Sequence, residues 1–527
     1  MATTLTLPTP LKVEQARQKS SESAFGAAFV TTLTAFALAV HGYHPYAEDG
    51  GIYLAGVKRL LNPTLYPSWS EFVTEHLRFS VFAPLVAASV HASHLPLMTV
   101  WLLLYVATFW LTLFAAWTLA TRCYTGREAR CGAVALLAVW LTMPIAGTSL
   151  MLMDPYLSAR SISTPCTLFA LVSVLDFFSR RSSNRIQSIA LCCSSLLLAG
   201  LIHPLMAAYA LACVLLLSCL LSSNLRVKAG GVAALSLFAI LAAAILYKTA
   251  PPETTEYLSV ALTRTYWFVA CWHWYEQFGL AAPLAILAVV ALQRRYSANA
   301  AARGLALTAT VAGTVAIIIA SLFARTGSPT YLVARLQPLR TFQLVYILMI
   351  LAVGAFLGET LLRRKAYRWI VTFATLALIM LYAERYTFPN SAHFESPGRE
   401  PRNDWERAFE WIRLSTPVDA LFALDAHYVT QPGEDAQTFR AVAERSAIAD
   451  YSKDGGEASI TPALTTLWFT GQAAQTGLNT ETDAKRIATL RPLGVSWVVL
   501  SSGTPTGFMC SYADEAVKVC RLPSPQQ

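Results

Sequence analysis

The sequence has little charge, since Asp, Glu, Lys and Arg make up 13% of its 527 residues, against about 25% in soluble domains. Hydrophobic residues make up 55% and the mean hydropathy is +0.47. This composition excludes an ordinary soluble protein and indicates an integral membrane protein. The net charge is +9, but the basic residues are scattered between apolar stretches and form no patch, so we expect no nucleic-acid partner.

The chain also lacks the cysteine spacings of zinc and redox sites. No C-x-x-C pair occurs among its ten cysteines, which removes the common zinc and thiol–disulfide motifs. Cys510 and Cys520 stand apart because they lie in a polar tail, around a plausible hairpin. They are a disulfide candidate if that tail lies outside the cytoplasm.

Apolar stretches of about 17 to 25 residues predict membrane spans, and the chain contains eleven. They lie at approximately 24–40, 95–120, 131–150, 163–178, 186–202, 205–221, 229–247, 278–292, 304–323, 341–362 and 369–386. The sequence therefore predicts an α-helical polytopic membrane protein with a small extracytoplasmic α/β domain. We expect three parts: a cytoplasmic tail over 1–23, a membrane domain over 24–386 whose first outer loop is 41–94, and the α/β domain over 387–527.

Basic residues set the expected orientation. Eighteen Lys and Arg lie in one set of connections between spans and nine in the alternate set, apart from the tail. The positive-inside rule then places the amino terminus in the cytoplasm and the tail outside. All nine histidines fall on the outer side of this topology, so we expect the chemistry of the protein on its outer face.

An acidic pair, Glu48 and Asp49, lies just beyond the first span. Carboxylates at the rim of the bilayer cost roughly 2.5 to 3.5 kcal/mol each if carried into its core, so a pair indicates a wet, functional surface. Either acid is a candidate general base, and both are candidate ligands if a divalent cation is used. The alternative is a helix start, with the acids before Gly50 and Gly51 facing the helix dipole. One acid would suffice for that, and the neighbouring Tyr53 favours a binding surface.

Three other predicted outer turns carry candidate binding residues. Asp154 and Arg160 either pair with each other or face the same cavity as the acidic pair, and the sequence leaves both open. His203 either binds substrate or ends a helix. His273 lies in an aromatic cluster over 267–276, which is typical of an interfacial belt and is also compatible with a sugar.

Two arginines precede the tenth predicted span. Arg335 and Arg340 lie in the outer segment 324–340, and arginine is the residue best suited to bidentate phosphate recognition. Arg340 enters the span at the depth of a lipid phosphate, which favours phosphate binding. The alternative is a side chain that reaches to lipid headgroups without a catalytic role.

Taken together, the inner amino terminus, the acidic first loop, the eleven spans and the outer tail resemble the GT-C superfamily. These polytopic glycosyltransferases use polyprenyl-phosphate-linked sugar donors and include the protein mannosyltransferases and the aminoarabinose transferases of lipid A. The resemblance covers most of 24–386, and its one motif match is Glu48 with Asp49. The tail phrases 411–422 and 439–446 are similar to those of uncharacterised bacterial membrane proteins, which implies the bacterial inner (plasma) membrane.

The resemblance implies transfer of a sugar from a polyprenyl-phosphate donor, within membrane lipid, to an acceptor glycan, lipid or protein. Asp49 or Glu48 would take the acceptor proton. The substrate-binding candidates are then Tyr53, Asp154, Arg160, His203, His273, Arg335 and Arg340. A divalent cation is the one cofactor left open. The chain differs from the metal-dependent oligosaccharide transferases because it has no second D-x-D or E-x-D motif in an outer loop. This difference favours transfer of a monosaccharide.

Two other classes of function remain open. In a transporter or lipid flippase, Glu48, Asp49 and His203 would relay protons or bind cargo. Against this, the predicted spans hold almost no ionisable residues near the bilayer centre, where transport sites lie. A non-catalytic scaffold that presents the outer domain would leave the acidic first loop unexplained.

Overall fold

The computed structural model describes residues 10–179, 184–293, 299–430 and 438–523, and the side chains of the first helix from residue 22 onward. Residues 1–9 of the expected cytoplasmic tail lie outside the described residues. So do four arginines that count toward the orientation, at positions 180, 181, 294 and 295.

A bundle of helices makes up the first three quarters of the chain. In chain order its α-helices are α1 (Pro10–His41), α2 (Asp49–Leu61), α3 (Glu71–Thr74), α4 (Phe82–Ser93), α5 (Leu97–Cys123), α6 (Arg127–Val139), α7 (Ala159–Phe178), α8 (Arg185–Ile202), α9 (Pro204–Leu221), α10 (Leu225–Thr249), α11 (Thr255–Leu262), α12 (Trp274–Leu292), α13 (Ala300–Phe323), α14 (Leu332–Arg335), α15 (Phe342–Leu357) and α16 (Ala366–Thr387). Ten helical segments within the described ranges are long and apolar enough to cross a membrane. These are α1, α5, α7 to α10, α12, α13, α16 and the segment Leu332–Leu362, which contains α14 and α15. The predicted polytopic helical class is confirmed.

The predicted span at 131–150 is wrong as a continuous helix. Helix α6 ends at Val139, and residues 140–158 are irregular. Pro144 lacks the N–H that a continuing helix needs, and its ring clashes with the preceding turn. Most of the irregular segment is buried, with Ile145, Leu152 and Leu157 fully so, and protein surroundings are what non-helical backbone requires within a membrane domain.

The carboxyl end of α6 nevertheless lies beside the carboxyl end of α1. His41, the last residue of α1, contacts the Ala138 carbonyl at 2.9 Å and the Thr142 hydroxyl at 2.7 Å. Helix α6 packs closely on α15, since a Cβ added at Gly132 would lie 2.3 Å from the carbonyl oxygen of Gly354. Together, α6 and the irregular segment therefore make a further crossing of the bundle.

The carboxyl-terminal domain is a mixed sheet with helices. Its elements are α17 (Asp404–Ser415), β1 (Leu421–Ala423), α18 (Phe439–Ala443), β2 (Ser446–Ala447), α19 (Lys453–Ile460), α20 (Thr465–Gln475), α21 (Asp483–Leu490), β3 (Trp497–Ser501), β4 (Met509–Ala513) and β5 (Val517–Arg521). The strand order is β2-β1-β3-β5-β4, with β1 parallel to β2 and β3 and the β3–β5 and β5–β4 pairs antiparallel. The predicted α/β class is confirmed. The sequence also predicts a helix around 404–414 and strands at 420–424, 495–500 and 516–522, which correspond to α17, β1, β3 and β5. Cys510 and Cys520 face each other on β4 and β5 and are joined by a disulfide.

The carboxyl-terminal domain packs directly on the first loop of the membrane domain. On α2, Lys58 donates to the Ala441 carbonyl at 2.8 Å and pairs with Glu444 at 2.7 Å. The Tyr66 hydroxyl donates to the Arg440 carbonyl at 2.8 Å. The basic side of α2 thus contacts this domain, and the acidic pair at the start of α2 lies at the junction of the two domains.

Candidate active site

The backbone at the acidic pair is in an unusual conformation. Glu48 precedes α2 with φ 51° and ψ −131°, and its side chain caps no helix N–H. A non-glycine residue in this region is strained, and such strain persists only where surrounding contacts impose it. The Thr438 hydroxyl, at the start of α18, donates to the carbonyls of Tyr46 at 3.0 Å and Glu48 at 3.2 Å. The carboxyl-terminal domain therefore holds the turn that presents both acids.

Asp49 lies at the junction of the two domains, here called the cleft. Its side chain is 48% exposed, and burial of the rest of the group is the largest cause of its raised pKa. Asp154 raises the pKa further, while Arg160, Arg340 and Arg264 oppose the shift. A carboxylate with a raised pKa is a stronger base, and the three guanidinium groups favour its ionised form.

Asp154 and Arg160 form an ion pair, and the charge of Arg160 also lowers the pKa of Asp49. Its Nη2 lies 2.7 Å from both carboxylate oxygens of Asp154, which also accepts a hydrogen bond from Ser158 at 2.9 Å. Both charged side chains are buried. The Arg160 Nε has no hydrogen-bond partner in the described parts of the chain. Asp154 thus neutralises one face of this guanidinium, and the buried Nε donor is left without a protein acceptor among the described residues.

Arg340 is part of the wall of a mostly apolar groove. It lies in the short turn Pro338–Thr341, which follows Gln337 in a left-handed conformation (φ 49°). The Arg340 Nε donates to the Gln337 side-chain oxygen at 2.6 Å. For the two terminal nitrogens, no hydrogen bond to any described residue is seen. Gln337 orients the side chain and leaves its forked end open.

The groove lined by Arg340 runs between α7, α9 and α15. Part of its wall is polar, and the Gln343 side chain there donates to the Leu152 carbonyl at 2.8 Å and to the Thr164 hydroxyl at 3.2 Å. The remaining wall is mostly apolar. The groove is lined by Ser163, Thr164, Thr167, Leu168, Met206, Tyr209, Ala210, Cys213, Arg340, Thr341, Gln343, Leu344 and Ile347.

His203 and Tyr53 also lie at this end of the bundle. His203 caps α9 by accepting from the Met206 N–H at 3.4 Å, so the helix-terminus interpretation holds. It is also close enough to Arg340 and Arg160 to feel their charge, and burial followed by these two arginines lowers its pKa to about 3. Tyr53 lies one turn after Asp49, and burial followed by the Asp49 charge raises its pKa to about 12. Both side chains are therefore neutral at pH 7.

Two of the predicted binding residues, Arg335 and His273, form their contacts outside the cleft. Arg335 forms an ion pair with Glu253, and its Nε donates to the Tyr257 hydroxyl at 3.0 Å. His273 starts α12, where its N–H donates to the Glu276 carboxylate at 2.7 Å. None of these contacts involves a residue of the cleft, and the Arg335 guanidinium is already neutralised.

Several residues of the cleft were missed from the sequence. Lys453, at the start of α19, contacts the carboxylates of Glu48 and Asp49. One turn later, Glu457 lies 3.9 Å from His76 of the first loop. Burial raises the pKa of Glu457 to about 8 and lowers that of His76 to about 4, so both are neutral at pH 7. No local pattern identifies these residues, because their partners are hundreds of positions away.

The described residues contain no group of three or more His, Cys, Asp or Glu side chains that could hold a metal ion. Glu48 and Asp49, the ligands considered from the sequence, are contacted by the Lys453 ammonium.

A buried histidine anchors the chain that leads into the carboxyl-terminal domain. His44 lies 3.1 Å from Glu384 and 2.7 Å from Glu395 and stacks on Phe388. Burial lowers its pKa, but the two glutamates outweigh burial and raise it to about 9. His44 is therefore charged at pH 7 and links α16, the following segment and the first loop.

We expect the stabilising contribution of His44 to fade as the pH rises. Its folded-state pKa of about 9 lies above the ordinary value of 6.5, so the contribution is complete below pH 6.5 and lost as the pH rises through 9. It amounts to about 3 kcal/mol at most. Melting temperatures of the wild type and His44→Gln should differ most at pH 6 and converge by pH 9.5. A difference that does not change with pH would contradict this assignment.

No family model matches the chain, and no curated protein matches it either. Among solved structures, the chain is similar to the archaeal oligosaccharyltransferase AglB from Archaeoglobus fulgidus, in complex with an inhibitory peptide and a dolichol-phosphate. The TM-score is 0.44 and the identity 12%, over 91% of this chain and 70% of that chain.

Proposed function

We propose that the chain is a membrane glycosyltransferase that moves one sugar from a polyprenyl-phosphate donor to an acceptor on the outer face of a bacterial inner membrane. One observation carries the proposal: the charges of Arg160 and Arg340 act on Asp49, and Arg340 also lines a mostly apolar groove. Transfer from a lipid phosphate needs a base for the acceptor, cations for the phosphate and an apolar surface for the lipid.

The groove between α7, α9 and α15 is suited to the lipid chain of the donor. Its apolar wall would contact the hydrocarbon, and Arg340, which lines the same groove, would meet the phosphate. The open fork of Arg340 can bind two phosphate oxygens together. Arg160 adds a further positive charge close enough to act on Arg340. These cations are fixed before the reaction, which is how an electrostatic site stabilises charge that develops in the transition state.

Asp49 then acts on the acceptor. The acceptor hydroxyl attacks the anomeric carbon of the sugar, and its proton passes to the Asp49 carboxylate. The new bond joins the acceptor oxygen to that carbon, while the bond from the carbon to the phosphate oxygen breaks. The electron pair of the broken bond leaves with the lipid phosphate, whose charge Arg340 stabilises. General base catalysis of this kind contributes typically 10² to 10⁴ in rate.

The position of the cluster favours this function over the two alternatives. Asp49, His203 and Arg340 lie at the ends of helices, at one end of the bundle, whereas transport sites lie near the bilayer midplane. A scaffold would have no use for a strained Glu48 or for a buried arginine with a free donor, since both cost stability.

The test is a donor panel applied to the full-length protein in nanodiscs. Radiolabelled polyprenyl-phosphate sugars that differ in the sugar are supplied singly, and hydrolysis or transfer is measured beside sugar nucleotides as controls. We expect turnover of one polyprenyl-phosphate sugar and none of the sugar nucleotides. If well-folded protein neither binds nor turns over any lipid donor, the proposal is wrong.

A further inference from the structure

We propose that Lys453 is the internal cation of the acidic pair, so that the site works without a divalent metal ion. The Lys453 ammonium contacts the carboxylate of Glu48 and lies 3.4 Å from Asp49 Oδ1. It thus occupies the position that a metal ion would take between these carboxylates. The inference deepens the proposed function and rests on it for the reaction, while its statement about metal binding can be tested without any donor.

The position of Lys453 is fixed by its own domain. Its backbone N–H donates to Asp450 Oδ1 at 2.6 Å, at the start of α19. The next residue, Asp454, accepts two hydrogen bonds from Arg440, at 2.7 and 2.9 Å. The Lys453 side chain is only 11% exposed, unlike a lysine that samples solvent. The ammonium is therefore held at the acidic pair from one side.

The membrane domain holds the same turn from the other side. Arg264 Nη1 donates to the Ser452 carbonyl at 2.7 Å, and its Nη2 donates to the Tyr451 carbonyl at 3.2 Å. These two residues directly precede Lys453. Arg264 also contributes to the potential at Asp49. The lysine is thus placed by contacts from both domains, and its approach to the acids follows from how the domains dock.

An ammonium and a divalent ion compete for the same carboxylate oxygens. A bound metal ion would have to displace Lys453 and leave its charge buried without a partner, which is strongly unfavourable. Burial lowers the pKa of Lys453 to about 7, whereas direct contact with two carboxylates favours the charged form of an amine. Removal of the ammonium group should therefore leave the negative charges of two carboxylates uncompensated.

Mn²⁺ binding to the full-length protein, followed by electron paramagnetic resonance, tests the inference. The wild type should bind Mn²⁺ in the cleft more weakly than about 1 mM, and Lys453→Ala should bind it at least about tenfold more tightly. Adding Asp49→Asn to Lys453→Ala should remove the gained site. Lys485→Ala is the matched control, since Lys485 is 59% exposed and pairs with Glu481 on the surface of the same domain; it should behave as the wild type.

Two results would overturn the inference. One is a wild-type Mn²⁺ site tighter than about 0.1 mM that Asp49→Asn removes, and this comparison does not depend on the folding of the lysine variant. The other is a folded Lys453→Ala protein that gains no Mn²⁺ affinity. With a donor identified, turnover should also be unchanged in excess EDTA. If EDTA inhibits transfer, the inference about Lys453 is wrong, but the proposed transferase activity stands. If the wild type binds no Mn²⁺ in the cleft and turns over no donor, the proposed transferase activity is wrong, but the inference about Lys453 stands.

Discussion

Asp49→Asn should lower the rate of sugar transfer by at least about 100-fold, because the amide cannot accept the acceptor proton. The side chains are nearly the same size, so the fold and the donor site should be retained. Donor binding should change little, since Arg340 and the groove are untouched. Single-turnover rates and donor dissociation constants, measured with the active lipid donor, separate these two effects.

Glu48→Gln is the matched control for this prediction. It removes one negative charge at the neighbouring position, next to the same Lys453 ammonium. Because Asp49 is the acid whose surroundings raise its pKa, we expect the Glu48 variant to lose less than about tenfold in rate. Equal losses in the two variants would contradict the choice of Asp49 as the base.

The same assignment predicts the pH dependence of the reaction. Only the ionised Asp49 can accept a proton, so the rate should fall as the pH decreases through its pKa. Burial places that pKa above the usual range of an aspartate, and the acidic limb of the profile should lie correspondingly higher. Asp49→Asn should remove this limb and leave a flat residual rate.

Much of the architecture follows from local sequence signals. Long apolar stretches set the positions of the spans, and short apolar runs bounded by turn residues marked β1, β3 and β5. The stretch 131–150 shows where composition fails, because an apolar run buried in protein has the same hydropathy whether it is helical or irregular. Pro144 was the residue in the sequence that indicated an early end of the helix.

The site could be predicted only on the membrane-domain side. Asp49, Asp154, His203 and Arg340 come from connections that the sequence placed on one side of the membrane, and the structure gathers them at one end of the bundle. Lys453 could not be found in this way, because 404 positions separate it from Asp49. Its contact depends on how the two domains dock, which no periodicity or motif in a single sequence records.

Arg340→Gln should lower kcat/KM by at least about 100-fold, since it removes the forked cation that meets the lipid phosphate in the groove. Affinity for a polyprenyl phosphate without sugar should fall as well, because that product carries the full phosphate charge. Arg340→Lys should recover only part of the activity, as an ammonium group cannot bind two phosphate oxygens in the same planar fork. The kinetics of transfer and the binding of the lipid phosphate are the two measurements.

Arg335→Gln is the control that makes this result specific. It removes the same kind of side chain five positions earlier, from an arginine that Glu253 already neutralises. We expect its transfer rate to stay within about threefold of the wild type, although the lost ion pair will lower the melting temperature somewhat. If both variants lose transfer and lipid-phosphate binding equally, the phosphate is not recognised by Arg340 in particular. If only Arg340→Gln loses both, Arg340 recognises the lipid phosphate as proposed.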